Sequence, residues 1–175
     1  MPTSHLTKEI ILKELQKGID EVIFCVRQSD DAIFFKKSDT RWSIAENLEH
    51  LRLSVKPLKL AFGLPKFILL FFGKPNRPIR TYDELVKKYM QALNEGGKAS
   101  PGFVPAPTKN NKSSLIDSFV EENKALISRL EKWNEKDMDR YLLPHPLLGK
   151  LYAREMLYFT IYHTQHHRLA IEKLM

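Results

Sequence analysis

Tyr152 to Met175 reads YAREMLYFTIYHTQHHRLAIEKLM, and the period of its apolar residues decides the fold class. With His163 at zero on a wheel of about 100° per residue, Met156, Phe159, His167, Ala170 and Leu174 all fall within about 40° of it. The segment therefore predicts an amphipathic helix from about Tyr152 to the C-terminus, with two histidines in the middle of its apolar stripe. Upstream, Pro144-His145-Pro146 and Gly149 enforce an irregular passage, because a residue preceding proline disfavours the α region. Before that passage, Asn110 to Ser114 opens a long helix. Its buried face is Leu115, Phe119, Leu126, Leu130 and Trp133, its wet face Glu121, Glu122 and Lys132, and Asp137-Met138-Asp139 ends it.

The N-terminal half repeats the pattern. Leu6, Ile10, Leu15, Ile19, Val22, Ile23 and Val26 recur at helical spacing and predict a helix from about Thr7 to Gln28. Ser43-Ile44-Ala45-Glu46 has the capping-box form that starts a second helix, continued by Leu48, Leu51, Val55 and Leu58. Thr81-Tyr82-Asp83-Glu84 repeats the signal before Leu85, Tyr89 and Leu93, and Gly96-Gly97 is a natural stop. Seven of the ten prolines and five of the seven glycines lie between Pro57 and Pro107, so the middle of the chain is the irregular region. No convincing alternation of apolar and polar residues marks a strand. The expectation is an all-α four-helix bundle, a single domain over residues 1–175, with a long crossover between the second and third bundle helices.

Composition narrows the function. At 175 residues the chain is about one domain's worth, which disfavours a separate cofactor module. A hydrophobic fraction of 43% supports a real core and sets aside disorder along the whole length. The formal charge of +7 favours anionic partners, yet Lys36, Lys37, Arg41, Arg52, Lys56, Lys59, Lys87, Lys88, Lys109 and Lys112 are spread over several elements without interleaved aromatics. That pattern reads as a solvated surface and argues against nucleic acid. The single Cys25 excludes an intramolecular disulfide and a cysteine zinc finger; within the first apolar stripe it reads as a small core residue. Residues 1–9 have no apolar signal region, and a cytoplasmic location is expected. Leu58 to Gly73 is the most apolar stretch, but Lys59, Lys66, Gly63 and Pro65 interrupt it, so no transmembrane segment is expected. A buried connection or short helix is one reading of it; an interfacial anchor or an oligomer contact is the other.

The chemistry concentrates in the histidines. His163 and His167, one turn apart, offer two imidazoles to one metal ion, or else form a core pair satisfied by carbonyls or carboxylates. His50 lies beside the second helix's stripe, roughly 110° from its centre, so an inward or a surface position is open to it. His166 reads as a supporting or bystander group, and His145 and His5 as structural or solvated. Glu46 and Glu155 fit capping or solvated roles better than catalysis. A glutamate directly after His163 would complete a metalloprotease H-E-x-x-H, but Thr164 stands there. Glycine-rich nucleotide loops and the G-x-S-x-G elbow are missing.

Trp42-Ser43-Ile44-Ala45-Glu46-Asn47-Leu48-Glu49-His50-Leu51 resembles the second-helix motif of the DinB/YfiT-like superfamily. His145-Pro146-Leu147-Leu148-Gly149-Lys150, followed by His163-Thr164-Gln165-His166-His167-Arg168-Leu169-Ala170-Ile171, resembles its C-terminal motif. The resemblance implies a four-helix bundle holding one divalent metal, Zn²⁺ or Ni²⁺, through His50, His163 and His167. It further implies a metal-dependent enzyme, a thiol-dependent S-transferase or a hydrolase, acting on a small molecule that includes a low-molecular-weight thiol, and a homodimer. Three neutral imidazoles leave an ion its full charge and an open position, so both chemistries are available. The Pro-rich middle, Leu60 to Pro107, departs from the simplest members and is where specificity would lie. The competing expectation is a non-catalytic bundle that meets a partner or membrane through Leu58 to Gly73.

Overall fold

The computed structural model describes residues 5–37, 41–106 and 111–175; Pro107, Lys109, Asn110 and the first four residues, which enter the sequence reading, lie outside them. The helices are α1 (Lys8–Gln28), α2 (Asp31–Phe34), α3 (Ile44–Gly63), α4 (Lys66–Leu69), α5 (Tyr82–Asn94), α6 (Lys112–Glu131), α7 (Glu135–Met138) and α8 (Ala153–Glu172). Local chemistry starts most of them. The Thr7 side chain accepts from the backbone N–H of Ile10, Asn111 from that of Ser114, and Ser43/Glu46 and Thr81/Glu84 close full capping boxes, satisfying N–H groups that the first turn leaves orphaned. Gly96, just past α5, adopts φ +89°, a left-handed conformation that glycine adopts without steric cost.

The long helices α1, α3, α6 and α8 form the bundle. Cation Lys8 at the start of α1 reaches the Glu131 carbonyl at the end of α6, and Lys112 at the start of α6 reaches the Ser29 carbonyl past α1, so these two run antiparallel. Arg154 at the start of α8 holds the Leu6 carbonyl, and Cys25 lies against Glu172, so α1 and α8 run parallel. Lys59 of α3 pairs with Glu122, and Trp133 past α6 donates to the Phe62 carbonyl at 3.0 Å, setting α3 parallel to α6. Two parallel helices consecutive in the bundle cannot be joined by a tight turn. The segment between Gly63 and Lys112 therefore has to travel the bundle's length, which is the predicted crossover; it carries α4, α5 and 3-10 turns at Leu70–Phe72 and Pro101–Phe103. At the middle of the bundle, a Cβ on Gly18 of α1 would stand 3.2 Å from the Thr164 methyl group, so the missing side chain lets α1 approach α8 closely.

Three local readings are corrected. First, α3 continues through Pro57 to Gly63, so the irregular region begins later than the proline count implies. A proline inside a helix costs about 3 kcal/mol, but the continuation buries Leu58 and Phe62, which together return about 3–6 kcal/mol. Secondly, α6 stops at Glu131. Trp133 turns inward to the Phe62 carbonyl, and the Asn134 side chain captures the Asp137 N–H at 2.9 Å, starting the separate α7. Thirdly, the passage around Pro144 is a two-stranded antiparallel hairpin, β1 (Leu142–His145) and β2 (Gly149–Tyr152), with Leu143 opposite Leu151. Prolines are tolerated there because both strands are edges. The mostly helical bundle otherwise stands as expected.

The core falls into two apolar clusters, one around Val55, Leu58, Leu126, Leu157 and Tyr158, the other around Ile19, Ile44, Leu48, Phe119 and Ile171. On α8 the candidate histidines lie between these clusters, and on α3 His50 stands beside Leu48 and Leu51 of the second. Among the described residues no helix is long and apolar enough to cross a membrane. Within Leu58 to Gly73, Leu58, Phe62 and Leu69 are buried, whereas Phe67 is 67% and Phe71 87% exposed; the stretch is neither wholly a buried connection nor wholly a surface.

Candidate metal centre

His50, His163 and His167 are all buried, and one ring nitrogen from each lies within 4.8 Å of the other two. The structure thus brings together all three residues singled out in the sequence. Helices α3 and α8 are antiparallel, so the first turns of α3 meet the later turns of α8, and His50 Nε2 stands 3.0 Å from His163 Nε2. Nitrogens that share one ion at ~2.0–2.1 Å, with bond angles from octahedral to tetrahedral, stand roughly 2.8–3.4 Å apart. The spacing of His50 and His163 fits a shared ion, and a ring nitrogen of His167 lies within 4.8 Å of both.

The tautomers are fixed by groups behind the rings. His50 Nδ1 lies 2.7 Å from the Phe103 carbonyl oxygen, which can only accept, so Nδ1 donates and Nε2 keeps its lone pair. His167 Nδ1 lies 2.7 Å from Asn47 Oδ1. The Asn47 amide nitrogen donates to the Trp42 and Ser43 carbonyls at 3.2 and 2.9 Å, which turns its oxygen toward His167 and makes that Nδ1 a donor as well. Such carbonyl or amide support behind a ring orients it and raises its basicity toward a metal. Sequence reasoning missed both supports. Asn47, one turn before His50 and buried, could have been flagged as a polar residue beside the stripe; the Phe103 carbonyl, arriving from the crossover, has no sequence signature.

Burial holds the cluster neutral. It pushes His163 well below its ordinary value, with the neighbouring imidazoles of His167 and His50 adding to the effect, and does the same to His167. His50 is lowered by burial, the Phe103 carbonyl only partly opposing it. Unprotonated nitrogens are what a metal requires.

The remaining candidates separate cleanly. His166 is half-buried and outside the cluster, its ring 5.2 Å from that of His167. His145 is buried, its Nδ1 accepting from the N–H groups of Leu147 and Leu148 at 3.1 Å each, so it pins the hairpin turn; burial lowers it to about 4. His5 is exposed. Glu46 closes the α3 capping box. Glu155 is fully buried and caps α8, accepting from the Tyr152 and Arg80 N–H groups at 3.0 and 2.8 Å and from Arg77 at 2.5 Å. Cys25 is a buried thiol raised by burial and by Glu172, consistent with the core role expected.

Because the folded chain keeps these imidazoles neutral while the unfolded chain protonates them near pH 6.5, the unfolded state gains protons first on acidification. In the metal-free chain, each depressed histidine therefore removes up to about 1.4 kcal/mol of stability per pH unit below about 6.5, down to its folded-state value, about 4 for His145. Urea unfolding at pH 7 and pH 5 should differ by several kcal/mol; equal stabilities would contradict a neutral buried cluster.

A cavity of about 670 Å³ opens beside the cluster, walled by α3, α8, the hairpin and the crossover. Trp42 covers one side, its ring centroid 4.7 Å from that of His50 and 6.0 Å from that of His167. Phe159 stacks on His163 at 4.8 Å. Tyr89, whose hydroxyl is pushed up to about 12 by burial, completes the wall with Phe103. No carboxylate lines the cavity among the described residues, and Lys98 is its one lysine or arginine.

Fold and cluster together define a helical bundle that presents three convergent imidazoles to a central cavity. Residues 12–171 match the DinB superfamily, and the chain belongs to that family. It is 27% identical over 139 residues to the uncharacterized protein YuaE of Bacillus subtilis (strain 168), a match covering 79% of this chain and 80% of YuaE. Its fold is similar to that of TT2238, described as a four-helix bundle protein (TM-score 0.60, 16% identity, 95% of this chain and 98% of that one). It is similar also to YfiT from Bacillus subtilis, described as a probable metal-dependent hydrolase with an unusual four-helix bundle topology (TM-score 0.64, 17% identity, 99% and 90%).

Proposed function

We propose that His50, His163 and His167 hold one divalent ion, Zn²⁺ or Ni²⁺, and that this single DinB-like domain is a metal-dependent enzyme acting on a small molecule. The observation that carries the reading is the convergence of the three imidazoles, two of them oriented by carbonyl-type acceptors. An ion bound there supplies Lewis acidity, which serves both hydrolysis and thiol transfer. The chain's own residues set the rest. Asn47 and the Phe103 carbonyl aim two nitrogens, Trp42 and Phe159 exclude water from one side, and the Tyr89 hydroxyl, held protonated, is a donor in the wall. With no carboxylate among the described residues of the lining, the proton acceptor comes with the substrate or solvent, which favours a reaction whose nucleophile ionises readily, a low-molecular-weight thiol above all. A cytoplasmic homodimer completes the proposal, since that compartment keeps such thiols reduced.

The test is Trp42 fluorescence. Titrating Ni²⁺ into the tag-free chain should quench it with one equivalent, because the indole lies against two of the ligands; Trp42→Phe should remove the response, leaving Trp133 unaffected. Quenching that persists in Trp42→Phe would place the ion elsewhere. Asn47→Ala should weaken Zn²⁺ binding about 10–100-fold, read by competition with a chelating dye, and unchanged affinity would remove Asn47 from the account.

A second role is favoured by the exposed Phe67, Leu70 and Phe71, namely contact with a membrane surface or partner. Polar replacements at these three positions should then change liposome binding or oligomeric state. If neither changes, that role is discarded.

A further inference from the structure

The cavity is long as well as apolar. Its wall follows α3 from His50 to Leu64, roughly 20 Å of helix at ~1.5 Å per residue, and follows α8 from Met156 to His167. The three imidazoles stand at one end. Away from them the wall is mostly apolar, with Val55, Leu58, Ala61, Leu64, Phe72 and Leu143, and the Ser54 and Thr160 hydroxyls there donate to the His50 and Met156 carbonyls. An apolar channel of about 670 Å³ is large enough for a drug-sized ligand. The charge in its lining is of one sign among the described residues: neutral imidazoles that would leave an ion's charge uncompensated, exposed Lys98, and no carboxylate. Lys98 stands on the crossover five residues before Phe103, whose carbonyl orients His50. Leu60, also in the wall, is 59% exposed and marks where the apolar lining reaches the surface.

We infer that the substrate is a single-chain amphiphile, with an unbranched apolar body lying along α3 and an anionic head at the three-histidine end. Its head-group half rests on the metal centre proposed above; its tail half rests on the wall alone.

The test uses the Zn²⁺-loaded, tag-free chain and a series of alkyl carboxylates from hexanoate to dodecanoate, with binding read by calorimetry. Affinity should rise about fourfold per added methylene, the value expected for burying each group, and chelating the zinc should weaken the whole series by a common factor. Ala61→Phe, which fills the channel away from the histidines, should weaken dodecanoate at least tenfold and leave hexanoate and zinc affinity unchanged. Lys98→Gln should weaken every carboxylate a few-fold and leave dodecanol unaffected. The chain-length series needs no variant, so it decides the matter even if Ala61→Phe folds poorly. Zinc bound with a flat series would overturn the amphiphile and leave the metal centre standing. Failure to retain zinc would overturn the metal centre, and with it the head-group half of the inference.

Discussion

His163→Ala lowers the affinity of the chain for Zn²⁺ by at least about a hundredfold, while His166→Ala, three residues along the same helix, changes it less than about threefold. Loss of a group that merely orients a ligand already costs about 10–100-fold, and His163 is the imidazole that joins His50 at 3.0 Å and stacks on Phe159. His166 lies outside the cluster. The same variant supplies a second readout that involves no metal. Since His163 is among the buried imidazoles kept neutral, its removal makes the stability of the metal-free chain less sensitive to pH between about 7 and 5. Competition against a chelating dye and urea unfolding at the two pH values check both halves. Equal zinc affinities for the native chain and His163→Ala would remove His163 from the site.

The other large effect lies away from the metal. Glu155→Ala destabilises the chain by about 3–5 kcal/mol, as expected when one partner of a buried ion pair is deleted. Glu155 is fully buried and joins the start of α8 to the crossover through Arg77, the Arg80 N–H and the Tyr152 N–H. Its removal leaves two backbone donors and a guanidinium without their acceptor. Burial alone would raise this carboxyl, but the hydrogen bonds from Arg77 and from the two backbone N–H groups outweigh it and hold it below the ordinary carboxylate range. A depressed carboxylate stabilises the fold above its ordinary pKa, and that contribution disappears as pH falls through the folded value. The gap between Glu155→Ala and the native chain should therefore narrow in acid. Faster tryptic cleavage after Arg80 should accompany it, because the crossover loses its anchor. A loss under about 1 kcal/mol at pH 7 would show that the crossover is held by its apolar contacts alone.

Much of the fold was legible because helix starts carry local chemistry. Ser43 with Glu46, and Thr81 with Glu84, mark their helices by the residues that do the capping, and each long helix shows its apolar stripe. What escaped was tertiary. Pro57 lies inside α3 because burial further along outweighs a local penalty, and the hairpin exists because His145 accepts two N–H groups across its turn, which no alternation pattern records. The site divides the same way. His163 and His167 share a face by spacing alone. His50 looked marginal on a wheel drawn about one stripe, since α3 packs against α6 on one side and α8 on the other and so buries a wider arc; Asn47 was overlooked for the same reason. The family motifs supplied what the wheel could not, by pairing His50 with the two histidines of the last helix.

The central claim is the three-imidazole ion, and zinc-edge X-ray absorption tests it most directly. The chain is prepared without a polyhistidine tag, loaded with one equivalent of Zn²⁺ and desalted. The account predicts retained, near-stoichiometric zinc with three imidazole nitrogens at ~2.0–2.1 Å. Zinc lost on desalting, or zinc bound by fewer than three imidazoles, would contradict it.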